Sequence, residues 1–216
     1  VRHAGADATL IGLLGHPSIR VRFFAMEALG RKEVKVAVRP IVNMLREDDG
    51  KDTWLRHGGM IALGRIGDAD AMAEFSADPS LTVRLVAVVA LRRMESPAIK
   101  SFLYDEDEYV VAEAARAITD DYQIAGAMSP LAQILNTRPW TNEPLIRRII
   151  NANLTVGNNR TIDNLIAYLN NSANPEDMRA EALATLAHWA RPSLFDRVDG
   201  RYRGQHRRAS ACFDLW

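Results

Sequence analysis

The chain has 216 residues, 48% of them apolar and 25% charged, and its 27 basic side chains balance its 27 acidic ones. That composition excludes a disordered chain, and no apolar run approaches the ~20 residues that a membrane-spanning helix needs. An even charge balance also weighs against a broad electrostatic grip on nucleic acid, which needs many uncompensated Lys and Arg side chains.

In chain order, one pattern recurs six times: apolar, usually Arg, two residues, small, two residues, small, apolar. Val21-Arg22 leads to Ala25, Ala28 and Leu29, and Leu55-Arg56 leads to Gly59, Ala62 and Leu63. Val83-Arg84 leads to Ala87, Ala90 and Leu91, and Val110-Val111 to Ala114, Ala117 and Ile118. Ile146-Arg147 leads to Ile150, Asn153 and Leu154, and Met178-Arg179 to Ala182, Thr185 and Leu186. The anchors at 21, 55, 83, 110, 146 and 178 step by about 31 residues, a spacing that belongs to repeat architectures. Positions i, i+4, i+7 and i+8 form one helical stripe, and small residues at i+4 and i+7 let a neighbouring helix approach closely.

Shorter apolar segments precede or separate these helices: Val36 to Leu45, Ala69 to Phe75, Ala98 to Leu103, Ile124 to Leu135 and Ile162 to Leu169. The turns lie at His16-Pro17-Ser18, Asp48-Asp49-Gly50, Asp78-Pro79-Ser80, Asp105-Glu106-Asp107, Thr137 to Thr141 and Asn174-Pro175. Asp or Ser before a helix caps its free N–H groups, and Pro fits the first helical turn. The unit is helix, turn, helix, and its apolar faces are buried only by stacking. The expectation is an all-α, right-handed α-solenoid of about six such pairs over residues 1–190, with no sheet. Val1-Arg2-His3-Ala4-Gly5 is similar to Leu55-Arg56-His57-Gly58-Gly59, so the chain is expected to begin inside an earlier repeat. No charged-then-apolar stretch with a small-residue cleavage site follows Val1, so a signal peptide is expected to be absent or already removed. Residues 191–216, with Pro192 and the basic Arg201, Arg203, Arg207 and Arg208, read as an irregular basic tail.

The Val-Arg-x-x-Ala-x-x-Ala-Leu helices, with Asp78-Pro79-Ser80 before the third, resemble HEAT repeats. In that family an Asp in the turn pairs with the Arg six residues later, and here only Asp78 and Arg84 carry that structural pair. A narrower resemblance rests on Arg20 to Ala25, Asp52 to His57, Val83 to Ala87, Val110 to Ile118, Arg147 to Asn153, and Trp189 to Ser193 followed by Asp196-Arg197-Val198. These strings are similar to the HEAT segment of large bacterial proteins that place a sugar-dehydrogenase-like β-propeller before the repeats and often a c-type cytochrome domain after them. The resemblance implies a connector within a multidomain protein, with flanking domains of the same polypeptide as partners. It also implies export to the periplasm; the residues alone leave the compartment unknown.

Chemistry is sparse. Cys212 is the single cysteine, which excludes an internal disulfide, a cysteine zinc cluster and a Cys-x-x-Cys-His haem attachment. None of His3, His16, His57, His188 and His206 is followed by Glu, and no two stand at i and i+4, the spacing of a helical zinc pair. The His-Glu pairs with which deoxyhypusine hydroxylases, enzymes built of HEAT repeats, hold iron are therefore absent. The acidic run Asp105 to Glu108 lacks the alternating oxygen ligands and glycine turn of a calcium loop, and suits the positive end of a helix. Cys212 has no patterned His partner, and no Gly-x-Ser-x-Gly elbow occurs. No catalytic residue, metal or cofactor is expected.

Two series invite a binding reading. Phe23, Trp54, Trp140 and Trp189 fall at or beside second helices, as inter-repeat core or as anchors of a protein contact. Arg22, Arg56, Arg84, Arg147 and Arg179 recur once per unit, as a structural ladder or as a groove for an acidic partner. His57 is either a groove contact or a half-buried group bonded to a neighbouring helix end. The partner-binding surface expected from these is Arg22, Phe23, Trp54, Arg56, His57, Arg84, Arg147 and Arg148, on the concave face. The resulting expectation is a non-catalytic protein-interaction or interdomain scaffold. The alternatives are a nucleic-acid-binding or base-repair protein, or one similar to the bilin lyases, both known on related helical repeats.

Overall fold

The computed structural model describes residues 5–205. His3, His206, Arg207, Arg208 and Cys212, and the first four residues of the proposed partial repeat, lie outside them. The chain divides into two compact units, with the boundary between Asp105 and Glu106. Among the described residues it is all-α, a solenoid of about six helix pairs, with a single isolated antiparallel bridge and no strand.

The first unit holds α1 (Asp7–Gly12), α2 (Ile19–Arg31), α3 (Val38–Asp48), α4 (Thr53–Ile66), α5 (Ala69–Glu74), α6 (Leu81–Arg93) and a 3-10 helix, Pro97–Tyr104. The long helices α2, α4 and α6 pack side by side, and α1, α3, α5 and the 3-10 helix lie against them. Met26, Leu29, Ile41, Leu45, Leu55, Leu63, Met72, Leu91, Ile99 and Phe102 fill the space between these two layers and are buried.

Caps appear where the turn residues predict them. The side chains of Asp52 and Ser80 accept hydrogen bonds from the Leu55 and Val83 amides at 2.9 and 3.3 Å, so α4 and α6 begin there. Gly67 closes α4 with a left-handed φ of 73°, a conformation that Gly adopts without a Cβ penalty. The segment Ala98 to Leu103, expected as an ordinary helix, is wound as 3-10 from Pro97, the tighter form used in short connectors.

Small residues in and beside the repeated pattern are where helices touch. A Cβ on Gly30 of α2 would stand 2.7 Å from Ala62 Cα of α4, and a Cβ on Gly58 would stand 2.7 and 2.8 Å from Met26 and Phe23. Gly59 meets Leu45 of α3 at 2.6 Å in the same way. The pair Gly58-Gly59 thus lets one helix pack closely on two sides.

The second unit holds α7 (Glu108–Thr119), α8 (Ala125–Gln133), α9 (Glu143–Val156), α10 (Asn159–Asn170) and α11 (Glu176–Ala187). Helix α9 is central, packed on α7, α8, α10 and α11. Trp140 and Trp189 are buried here, which settles them as core. Trp140 donates from Nε1 to the Ile134 carbonyl at 2.9 Å and carries the Arg138 guanidinium over its ring.

The acidic run caps and ties. Asp107 accepts from the Tyr109 amide at 2.9 Å. Glu108 accepts from the Thr141 amide, the Thr141 hydroxyl and the Asn142 amide, each at 2.7 Å. Burial works against the Glu108 charge, yet those three donors and the nearby Arg138 hold its carboxyl below the usual value.

Candidate functional site

In the first unit, the close approach of α2 and α4 at Gly58 lays Phe23 over the α4 backbone. Phe23 stands edge-on to Phe24, ring centroids 5.5 Å apart at 80°. Trp54, in the first turn of α4, is 70% exposed, and Phe24 and Ile19 are 55% and 43% exposed. Together with Arg20 these residues line a groove of about 540 Å³. A second groove of about 380 Å³, lined by Leu10, Leu13, Ser18, Val21, Ala25 and again by Arg20 and Phe24, adjoins it. Arg20 and Phe24, one turn apart on α2, are therefore shared by both grooves. Among the described residues no carboxylate lines either groove, and Arg20 makes no ion pair.

The structure distributes the predicted contact residues unevenly. Phe23 and Trp54 meet in the groove. His57 is exposed and lies three residues beyond Trp54, on the same side of α4. Arg22 and Arg56 are half-buried.

Arg84 corrects the expectation that it serves a binding surface. It is 8% exposed, its Nε is 2.8 Å from Asp105 Oδ2, and its Nη1 donates to the Asp78 carbonyl at 2.8 Å. In the second unit, Arg147 is drawn to Glu143 and Glu181 at 2.8 and 3.3 Å. Arg148 forks onto Asp120 at 2.9 and 2.8 Å.

The expected Asp78–Arg84 pair is also made differently. Arg84 reaches the backbone of Asp78, while the Asp78 carboxylate is held by Arg46 from the last turn of α3. The reason is local. The Ser80 amide binds Asp78 Oδ1 at 2.9 Å and fixes the carboxylate in the turn, and Arg46 comes to it from α3. Arg84 spans its own turn carbonyl and then continues to Asp105. The ladder thus runs forward, from Arg46 to Asp78 and from Arg84 to Asp105. Burial disfavours the Asp78 charge, but the Arg46 hydrogen bonds, the Ser80 amide and the charges of Arg46 and Arg84 together outweigh it, and the carboxyl lies below its ordinary value.

The basic segment after α11 is not a free patch where it is described. Residues 194–203 form a hairpin: the Asp196 amide donates to the Arg201 carbonyl and the Arg203 amide to the Leu194 carbonyl, each at 2.8 Å. Arg203 donates to the Thr119 and Asp120 carbonyls at 2.7 and 2.9 Å, and Arg201 to the Asp120 carbonyl at 2.7 Å. These cations cap the C-terminal, negative end of α7. Both arginines are thereby occupied within the chain, so this part of the basic tail is neither irregular nor free.

Reading the residues alone missed Ile19, Arg20, Phe24, Leu10 and Leu13 of the grooves. A signal was present, since Ile19 and Phe24 lie off the Val21, Ala25, Ala28, Leu29 stripe and so could not share its core. Among the described residues no group of three or more His, Cys, Asp or Glu side chains could hold a metal ion, and no helix is long and apolar enough to cross a membrane.

No family profile matches the chain. No curated protein matches it either. Among solved structures, computationally designed armadillo repeat proteins for modular peptide recognition are similar at 18% identity, over 83% of this chain and 98% of theirs, with a TM-score of 0.44. A designed armadillo repeat protein in complex with the peptide (KR)4 gives 18% identity over 84% and 98%, with a TM-score of 0.44. Human deoxyhypusine hydroxylase in complex with glycerol gives 18% over 88% and 76%, with a TM-score of 0.34. The chain's own helices make it an all-α repeat solenoid; what it binds rests on its own side chains.

Proposed function

We propose that this chain is a non-catalytic protein-interaction scaffold that docks a protein segment on the apolar surface of α2 and α4. The observation that carries the reading is the solvent-facing cluster of Trp54, Phe24 and Ile19 on two helices locked together at glycine contacts. Exposed aromatic and Arg side chains on a rigid support are the usual anchors of protein contacts, and they lose little side-chain entropy on binding. The strings shared with the HEAT segment of propeller and cytochrome fusion proteins support a finer reading, in which the scaffold connects domains of one bacterial multidomain polypeptide and its partner is a flanking domain.

The test is site-specific cross-linking in the full-length protein. A Trp54→benzoylphenylalanine variant is expected to form an adduct with a segment outside these 216 residues, and a variant with Arg160→benzoylphenylalanine, an exposed position in the first turn of α10, is not. Mass spectrometry of the adduct then distinguishes a flanking domain from a separate protein. Equal, background-level adducts at both positions would end the docking reading.

A further inference from the structure

We infer that the paired grooves on α2 and α4 take an extended acidic segment in which a carboxylate side chain lies between two apolar ones. The inference rests on the scaffold reading above and adds the chemistry of the partner. Its basis is the arrangement around Arg20. Two apolar grooves adjoin, and the residues common to both are Arg20 and Phe24. One groove offers Phe23, Ile19 and Trp54; the other offers Leu10, Leu13 and Val21. The ridge between them carries a guanidinium that is exposed, makes no ion pair among the described residues and faces no lining acid.

Among the described residues Arg20 shares the lack of an ion pair with Arg22, Arg56 and Arg93, but it is the one of these four that lines both grooves. Arg31, Arg39, Arg46, Arg65 and Arg84 all sit against carboxylates of the chain. A guanidinium flanked by apolar surface is less well hydrated than one on an open helix, so a carboxylate arriving from a partner gains a charge-assisted, bidentate bond there. The same field repels Lys and Arg in the partner segment. Successive side chains of an extended strand point to opposite sides, so residues two apart face the same surface. An apolar–x–acid–x–apolar segment can place its two anchors in the two grooves and its acid on the ridge.

Trp54 makes the binding measurable. It is 70% exposed, whereas Trp140 and Trp189 are 5% and 3% exposed, and the fourth tryptophan, Trp216, lies outside the described residues, so all measurements use a Trp216→Phe background, in which a blue shift on binding reports from the groove. The probes are three acetylated, amidated peptides: Ser-Leu-Ser-Glu-Ser-Phe-Ser, its Gln analogue and its Lys analogue. The acidic peptide is expected to shift the Trp54 emission and to bind at least tenfold more tightly than the Gln analogue, with the Lys analogue weaker still. In Arg20→Ala, where the side chain removed is exposed, the three peptides are expected to bind alike. Equal binding of all three to the chain with Arg20 in place, or a preference for the acidic peptide that survives Arg20→Ala, overturns the inference while leaving the groove a docking site. If none of the peptides moves the emission, the acidic-segment inference falls, and the cross-linking experiment decides separately whether the scaffold reading stands.

Discussion

At the scale of single residues, the glycines of the repeated helices carry consequences that the side-chain inventory alone does not show. Gly30 faces backbone, since its virtual Cβ meets Ala62 Cα at 2.7 Å and Ala62 O at 3.2 Å. Backbone cannot rotate away, so Gly30→Ala is expected to push α2 off α4 and destabilise the protein by about 1–3 kcal/mol, the usual range for overpacking. Urea unfolding followed by far-ultraviolet circular dichroism measures it. Gly64→Ala meets the Arg93 side chain instead, at 3.0 Å, and is expected to cost less. The opposite sign holds at Glu95, which ends α6 at φ 51°. The Glu95 and Ser96 amides donate to the Arg92 and Leu91 carbonyls, the bond pattern of a left-handed helix end that favours Gly. Glu95→Gly removes the Cβ strain and is expected to stabilise the protein by ~0.5–1 kcal/mol, read from the same urea midpoint. Gly59 was legible as a contact residue because it stands in the repeat register, at the fourth position after Leu55, with Gly58 beside it. The left-handed Glu95 was not, because nothing in its residue type announces a positive φ.

At the scale of elements, helix ends and their charges decide how pairs are joined. The stripes and caps of the second helices could be read from spacing, since burial at i, i+4 and i+7 imposes one residue type at each. The ion pairs could not. Arg46 lies outside the repeated pattern, and its partner Asp78 is 32 residues away, so only folding brings them together. The hairpin after α11 was half legible: Asp199-Gly200 between Phe195 and Tyr202 is a turn signal, but nothing in it points to the end of α7. That end is an electrostatic junction. Asp120 accepts from Arg148 through both oxygens, while its backbone carbonyl takes Arg201 and Arg203. Burial disfavours its charge, and the Arg148 bonds and charge overcome that, so its carboxyl lies below the ordinary 3.8. A carboxyl lowered by folding adds stability that is complete above its unfolded value and fades as pH falls through its folded value. Acid is therefore expected to destabilise the protein progressively below about pH 4, with Asp78 contributing in the same direction. Asp120→Asn is expected to lower stability at pH 7 and to flatten this acid dependence. Urea midpoints measured from pH 7 down to pH 3 would show it; an unchanged slope in the variant would mean that Arg148 stabilises neither state of the carboxyl.

At the scale of the whole chain, charge balance separates the scaffold reading from its main rival. The chain carries 27 basic and 27 acidic residues, and the structure spends many of the basic ones internally: Arg46, Arg84, Arg148 and Arg203 all face acids or carbonyls of the chain itself. Binding of nucleic acid at physiological salt draws most of its free energy from phosphates that displace counterions, and each contact needs a cation not already neutralised. The described part of the tail, which supplied the one basic cluster in the sequence, caps a helix instead. Fluorescence anisotropy with a labelled 20-base-pair duplex and a 20-nucleotide single strand is therefore expected to show no saturable binding at 150 mM salt, and only weak binding at 25 mM. The acidic peptide should behave differently, weakening with salt through the single contact at Arg20 while keeping the apolar part of its affinity. Tight duplex binding whose logarithm falls steeply with the logarithm of salt concentration would require several free cations on one face, and would move the function from docking protein segments to holding phosphate.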